Sequence, residues 1–91
     1  MLDTSEKIHI YKTALAKWGK QTQTMHFMKD ASALVGELAK NLCGEKCSTA
    51  EKIAGVEIAL EQIVAMLDNH ASVAEHKRQL LIKLRERIKN T

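Results

Sequence analysis

Apolar positions recur along the whole chain at helical spacing, and four helical stretches follow from them. The first opens on Asp3-Thr4-Ser5-Glu6, a capping-box-like start, and carries the seam Ile8, Tyr11, Leu15, Trp18. Gly19 predicts its end. The second runs from about Gln21 to Leu42, with an apolar face of Phe27, Met28, Ala31, Leu34, Val35, Leu38 and Leu42. Cys43-Gly44-Glu45-Lys46-Cys47 breaks the pattern, with Gly44 placed as the left-handed residue after a helix end. The third opens on Ser48-Thr49-Ala50-Glu51, a capping box in which the Ser48 side chain accepts from the Glu51 amide and the Glu51 carboxylate reaches back. Its seam is Ile53, Val56, Leu60, Ile63, Leu67, widened by Ile58, Val64 and Met66. After a turn at Asp68-Asn69-His70-Ala71, the fourth opens on Ser72-Val73-Ala74-Glu75, another capping box, and continues through Val73, Leu80, Leu81, Leu84 and Ile88.

Short connections between helices imply antiparallel neighbours, so the pattern predicts an all-α, four-helix bundle in a single domain spanning residues 1–91. The apolar stripes on the second and third helices are wider than four short helices cover. A homodimer or higher oligomer is therefore expected to bury the remainder.

Composition narrows the class. Glycine occurs four times and proline not at all, which argues against the many turns of a β-sandwich or barrel. At 45% hydrophobic residues and a net charge of +3, the chain is too apolar and too weakly charged for disorder. No stretch is long and apolar enough for a transmembrane span, and the segment Met1–Lys7 has no signal-peptide core. The reading is a cytoplasmic protein without a membrane partner. The mild positive charge permits phosphate-bearing partners without demanding them. It is concentrated at the end of the chain, where Lys77, Arg78, Lys83, Arg85, Arg87 and Lys89 oppose Glu75 and Glu86.

Candidate chemistry is sparse. There is no glycine-rich phosphate loop, nucleophile elbow or His-Glu-x-x-His. Cys43 and Cys47 lack the second ligand pair a zinc site needs and read as two loop thiols, with a transient disulfide as the alternative. His26 and His70 have no ligand partners nearby in sequence and read as surface or capping residues. Asp30, Glu37, Glu57 and Glu61 are the carboxylates available to a Mg²⁺ site, or else solvated helix faces. Tyr11 and Trp18 serve either as a stacking wall for a base or, more simply, as seam packing. Gly36 and Gly55 stand inside helices, where glycine costs about 1 kcal/mol and marks either close approach or drift.

The order of residues resembles a family. Tyr11, Trp18-Gly19, Gln23, Leu34, Leu38, Lys40 and Gly44 follow the spacing of MazG-like all-α nucleoside triphosphate pyrophosphohydrolases. The segment from Ile53 to Gln62 resembles that family's third helix, and Lys83–Ile88 its closing helix. The resemblance implies a Mg²⁺ site built from Glu-Glu-x-x-Glu on the second helix and Glu-x-x-Asp on the third. The first motif falls on Lys29, Asp30, Ala31, Ser32 and Ala33, and the second on Lys52, Ile53, Ala54 and Gly55. Only Asp30 keeps a carboxylate. A basic residue of the family falls on Cys43, and a lysine of its last helix on Leu80.

One carboxylate cannot hold an ion that must activate water and neutralise phosphate charge. Lys29 and Lys52 would instead repel it, because two like charges 4 Å apart interact by about 4 kcal/mol at an effective dielectric near 20. The same ammonium groups suit a phosphate, or else are simply solvated.

The expectation is thus a catalytically inactive MazG-like protein without a cofactor, acting by binding a protein partner or a nucleotide held uncleaved. By resemblance it is a small stand-alone protein of the kind phages encode, at work in a bacterial or phage-infected cell. Its ligand-binding candidates are Tyr11, Trp18, Gln23, Lys29, Asp30, Glu37, Lys40 and Lys52. Two alternatives stand beside it: a living Mg²⁺-dependent pyrophosphohydrolase with its site relocated to Asp30, Glu37, Glu57 and Glu61, and a nucleic-acid binder using the basic fourth helix.

Overall fold

The computed structural model describes residues 2–91. Among them the protein is all-α: α1 spans Thr4–Leu42, α2 Thr49–Leu67 and α3 His70–Lys89. The count is three helices, not the four that the periodicity predicts. Asp3 caps α1 as expected, its Oδ1 accepting from the Glu6 amide at 2.8 Å.

Gly19 does interrupt the helix it was expected to end, but the chain resumes helical form at once. Its backbone sits at φ 83°, ψ 166°, a conformation essentially reserved for glycine. The result is one bent helix. Thirty-nine residues of straight helix would reach about 58 Å, whereas the longest dimension of the whole molecule is 46 Å. The two arms, 4–18 and 20–42, can therefore pack on the same neighbour, α2.

At the far end of α1 the expected stop forms in full. Gly44 is left-handed (φ 76°), its amide donates to the Asn41 carbonyl, and the Glu45 amide donates to the Lys40 carbonyl at 2.9 Å. These are the two crossing bonds of a Schellman motif. The turn brings α2 back antiparallel to the second arm of α1. The face of α2 that meets α1 carries Val56, Ala59, Ile63 and Met66, with Ala59 buried at the centre. Ala14 is the other buried apolar residue among those described, and no large side chain is fully enclosed. Two alanines make a thin core.

Neither expected capping box is made. Ser48 caps α2 without a side-chain bond, and its backbone amide, which the expected box gives to Glu51, donates instead to Glu37 Oε2 at 2.8 Å. A long-range carboxylate has displaced the local one. α3 starts two residues before the expected Ser72, at His70, with Asn69 as its cap and no side-chain cap bond. Asp68 adopts the left-handed conformation (φ 51°, ψ 44°), which its short polar side chain tolerates, and so turns the chain in very few residues.

α3 does not complete a bundle. It touches α2 sparsely, does not approach α1, and buries none of its residues.

Candidate functional site

The strongest convergence of polar groups lies where the first arm of α1, the start of its second arm and the C-terminal half of α2 meet. A small cleft of about 50 Å³ opens there between Ile8, Tyr11, Lys12 and Leu15 on one side and Gln62, Ala65 and Met66 on the other, with Gln23 at its base. Gln23 is buried, the one polar side chain among the described residues to be so. The Tyr11 hydroxyl donates to Glu61 Oε2 across the two helices. Partial burial pushes the Tyr11 phenol up to about 12, and the bond to the Glu61 carboxylate and its negative charge add to the shift. Tyr11 is therefore a neutral donor at ordinary pH, holding a carboxylate in place.

Glu37 is held at the opposite end of α2. It accepts from the Ser48 amide and from Lys40 Nζ at 3.4 Å. Its carboxyl lies below the usual range, chiefly through the Ser48 bond, with Lys40 and the charge of Lys52 adding to it. Two of the ligand candidates, Lys40 and Lys52, thus attend a carboxylate of their own chain.

From Ser48 to Glu61 is thirteen residues of helix, about 20 Å along its axis, so Glu37 and Glu61 do not converge on one ion. Glu57 is exposed and Asp30 half-buried. Among the described residues no three His, Cys, Asp or Glu side chains are grouped as metal ligands. The set Asp30, Glu37, Glu57 and Glu61 is not assembled into a site.

Other sequence candidates scatter. Lys29 is exposed on the second arm of α1, eight residues before Glu37 and hence about 12 Å along the helix from the Glu37–Lys52 neighbourhood. Trp18 departs from the expected seam packing: it is 54% exposed, outside the cleft beside Gly19, with Lys17 Nζ 5.4 Å from its ring centre. That is cation–π distance. His26 and His70 are exposed. Cys43 and Cys47 are free thiols, Cys47 accepting from Asn41 Nδ2 at 3.6 Å. A methyl group added at Gly36 or Gly55 would meet nothing within 4 Å, so neither glycine serves close approach within the chain.

The Tyr11–Glu61 pairing and the part played by Gln62 and Met66 were not visible in the sequence. Their only signal is polar residues set beside an apolar seam on two helices fifty positions apart.

What the arrangement offers is exposed apolar surface. Ile53, Leu60 and Leu67, spaced by sevens on α2, are 41%, 48% and 55% exposed. On α3, Leu80, Leu81, Leu84 and Ile88 are exposed as well. No helix among the described residues is long and apolar enough to cross a membrane. Compared with known proteins, the chain matches no family model, no curated protein and no solved structure.

Proposed function

We propose that this protein works by binding and not by catalysis: a MazG-like helical frame whose metal site has gone and whose exposed apolar faces serve protein–protein contact, first of all with copies of itself. The observation that carries the reading is the fate of its carboxylates. Lys29, Ala33, Lys52 and Gly55 stand at the positions where the resemblance calls for acids. Of the carboxylates available to a relocated site, Glu37 and Glu61 are each engaged in holding helices together, one at the Ser48 amide and the other at the Tyr11 hydroxyl. A carboxylate that accepts a backbone amide or a phenol is a structural member.

The exposed leucines and isoleucines of α2 and α3 supply the binding surface, since contiguous apolar patches on soluble proteins mark interaction sites. The cleft at Tyr11 is too small for a nucleotide, which favours a protein partner over a held nucleotide.

The test is incubation of the purified protein with a panel of nucleoside triphosphates and Mg²⁺ or Mn²⁺. No pyrophosphate release is expected. Turnover in the ordinary enzyme range of about 1–10³ s⁻¹ overturns the reading.

A further inference from the structure

The surface of this chain is too large for its mass. A folded monomer of 10.2 kDa exposes about 5,300 Å² by the general scaling of surface with size, whereas this one exposes 7574 Å². The excess, about 2,300 Å² per chain, falls within what each partner of an obligate dimer buries, about 1,000–2,500 Å². α3, a 20-residue helix with no buried residue, contributes to it. Most helical stability in proteins comes from packing an amphipathic face, and α3 finds almost no such surface within its own chain.

We infer that the surface is a second copy of this chain, each copy laying the apolar side of its α3 on the Ile53–Leu60–Leu67 stripe of the other's α2. The inference rests on the self-association proposed above and specifies its form.

Three observations select this pairing. The α2 stripe has a seven-residue period, and on α3 Leu81, Leu84 and Ile88 follow at intervals of three and four. These are the seams of helices that pack at a shallow angle. The charges are complementary. α3 carries six basic and two acidic residues, a net +4, while α2 carries Glu51, Glu57 and Glu61 against Lys52, a net −2. Pairing α3 with α3 would set +4 against +4, and pairing α2 with α2 would leave α3 uncovered. Finally, the exposed α2 stripe is centred about 80° around the helix from the Lys52–Val56–Ala59–Ile63–Met66 face turned to α1, so it is free while the hairpin is intact.

The experiment is sedimentation velocity with light scattering on the full chain and two variants, Leu60→Asp on α2 and Leu84→Lys on α3. Circular dichroism confirms that the helices remain. The wild type is expected to be a dimer at micromolar concentration. Each variant alone should weaken it about thirty-fold or more, the loss typical of removing a central apolar anchor. Mixed in equal amounts, the variants should regain a dimer. One of the two α2–α3 contacts is then wild type on both sides, and the other sets Asp against Lys. A dimer that Leu84→Lys breaks and Leu60→Asp leaves intact overturns the reciprocal pairing but leaves self-association standing. A dimer not regained on mixing does the same. A wild-type monomer overturns both, and one that binds a DNA duplex assigns the basic face of α3 to nucleic acid instead.

Discussion

The α1–α2 hairpin and α3 are built from similar material and meet opposite fates. Both have apolar residues at helical spacing, and α2 and α3 each begin after a short turn. The hairpin is tied three times over: by Ala14 and Ala59 between its helices, by the Tyr11–Glu61 bond at one end and by Glu37 on the Ser48 amide at the other. α3 has no such tie. Its ion pairs, Arg78 to Glu75 at 2.7 Å and Arg85 to Glu86 at 3.9 Å, join near neighbours on its own exposed surface, where such pairs contribute only a few tenths of a kcal/mol. The difference teaches that amphipathicity recruits a partner without saying which one. The hairpin's partner is within the chain because Gly19 folds α1 to lie twice on α2.

Gly19 is accordingly where the comparison breaks most readily. Gly19→Ala forces a side chain into a backbone conformation that costs roughly 1–3 kcal/mol, even though the space around it is open. For a domain of this size each kcal/mol lowers the melting temperature by about 4–8 °C. A thermal melt should show at least that loss, and an unchanged midpoint means that the bend does not hold the hairpin. By contrast Gly55→Ala, at an uncrowded helical position, should raise stability by about 0.4–1 kcal/mol.

Tyr11→Phe sharpens the comparison on the hairpin side. Losing one partly exposed hydrogen bond to a carboxylate should cost about 0.5–1.5 kcal/mol. It should also alter the alkaline limb of stability. A phenol whose folded pKa is raised from 10.0 to about 12 contributes stability fully present below pH 10 and lost as pH rises through 12. Chemical denaturation across that range should show a steeper fall for wild type than for Tyr11→Phe. Parallel curves contradict the assignment.

Glu37→Gln acts at the other end of the hairpin and in the other direction of pH. The Glu37 carboxyl is lowered, so its contribution is present above 4.5 and disappears as pH falls through the lower folded value. The variant should flatten the acid limb of stability and leave neutral α3 properties unchanged. An identical acid limb means that Ser48 finds its acceptor elsewhere.

How far the sequence carried can be judged at these same residues. Asp3 as a cap and Gly44 as a left-handed stop were legible, because both act through bonds within a few positions. Gly19 was legible as a break but not as a bend, since periodicity records where a helix is interrupted and not the direction in which it resumes. At Ser48 the chemistry is legible and the geometry is not: a carboxylate does reach that amide, but it is Glu37, eleven residues earlier, and not Glu51. The candidate site suffered most. Grouping Asp30, Glu37, Glu57 and Glu61 assumed that carboxylates on facing helices meet, whereas the antiparallel register sends Glu37 and Glu61 to opposite ends of α2.

Amide hydrogen exchange at two protein concentrations shows whether the hairpin holds itself while α3 is held by another copy. The hairpin amides should be protected equally at both, because their bonds lie within one chain. The α3 amides, and not those of the second arm of α1, should exchange fast in the dilute sample and gain protection as concentration rises, in step with assembly. Protection of α3 that is the same at both concentrations while the protein remains monomeric would contradict the claim.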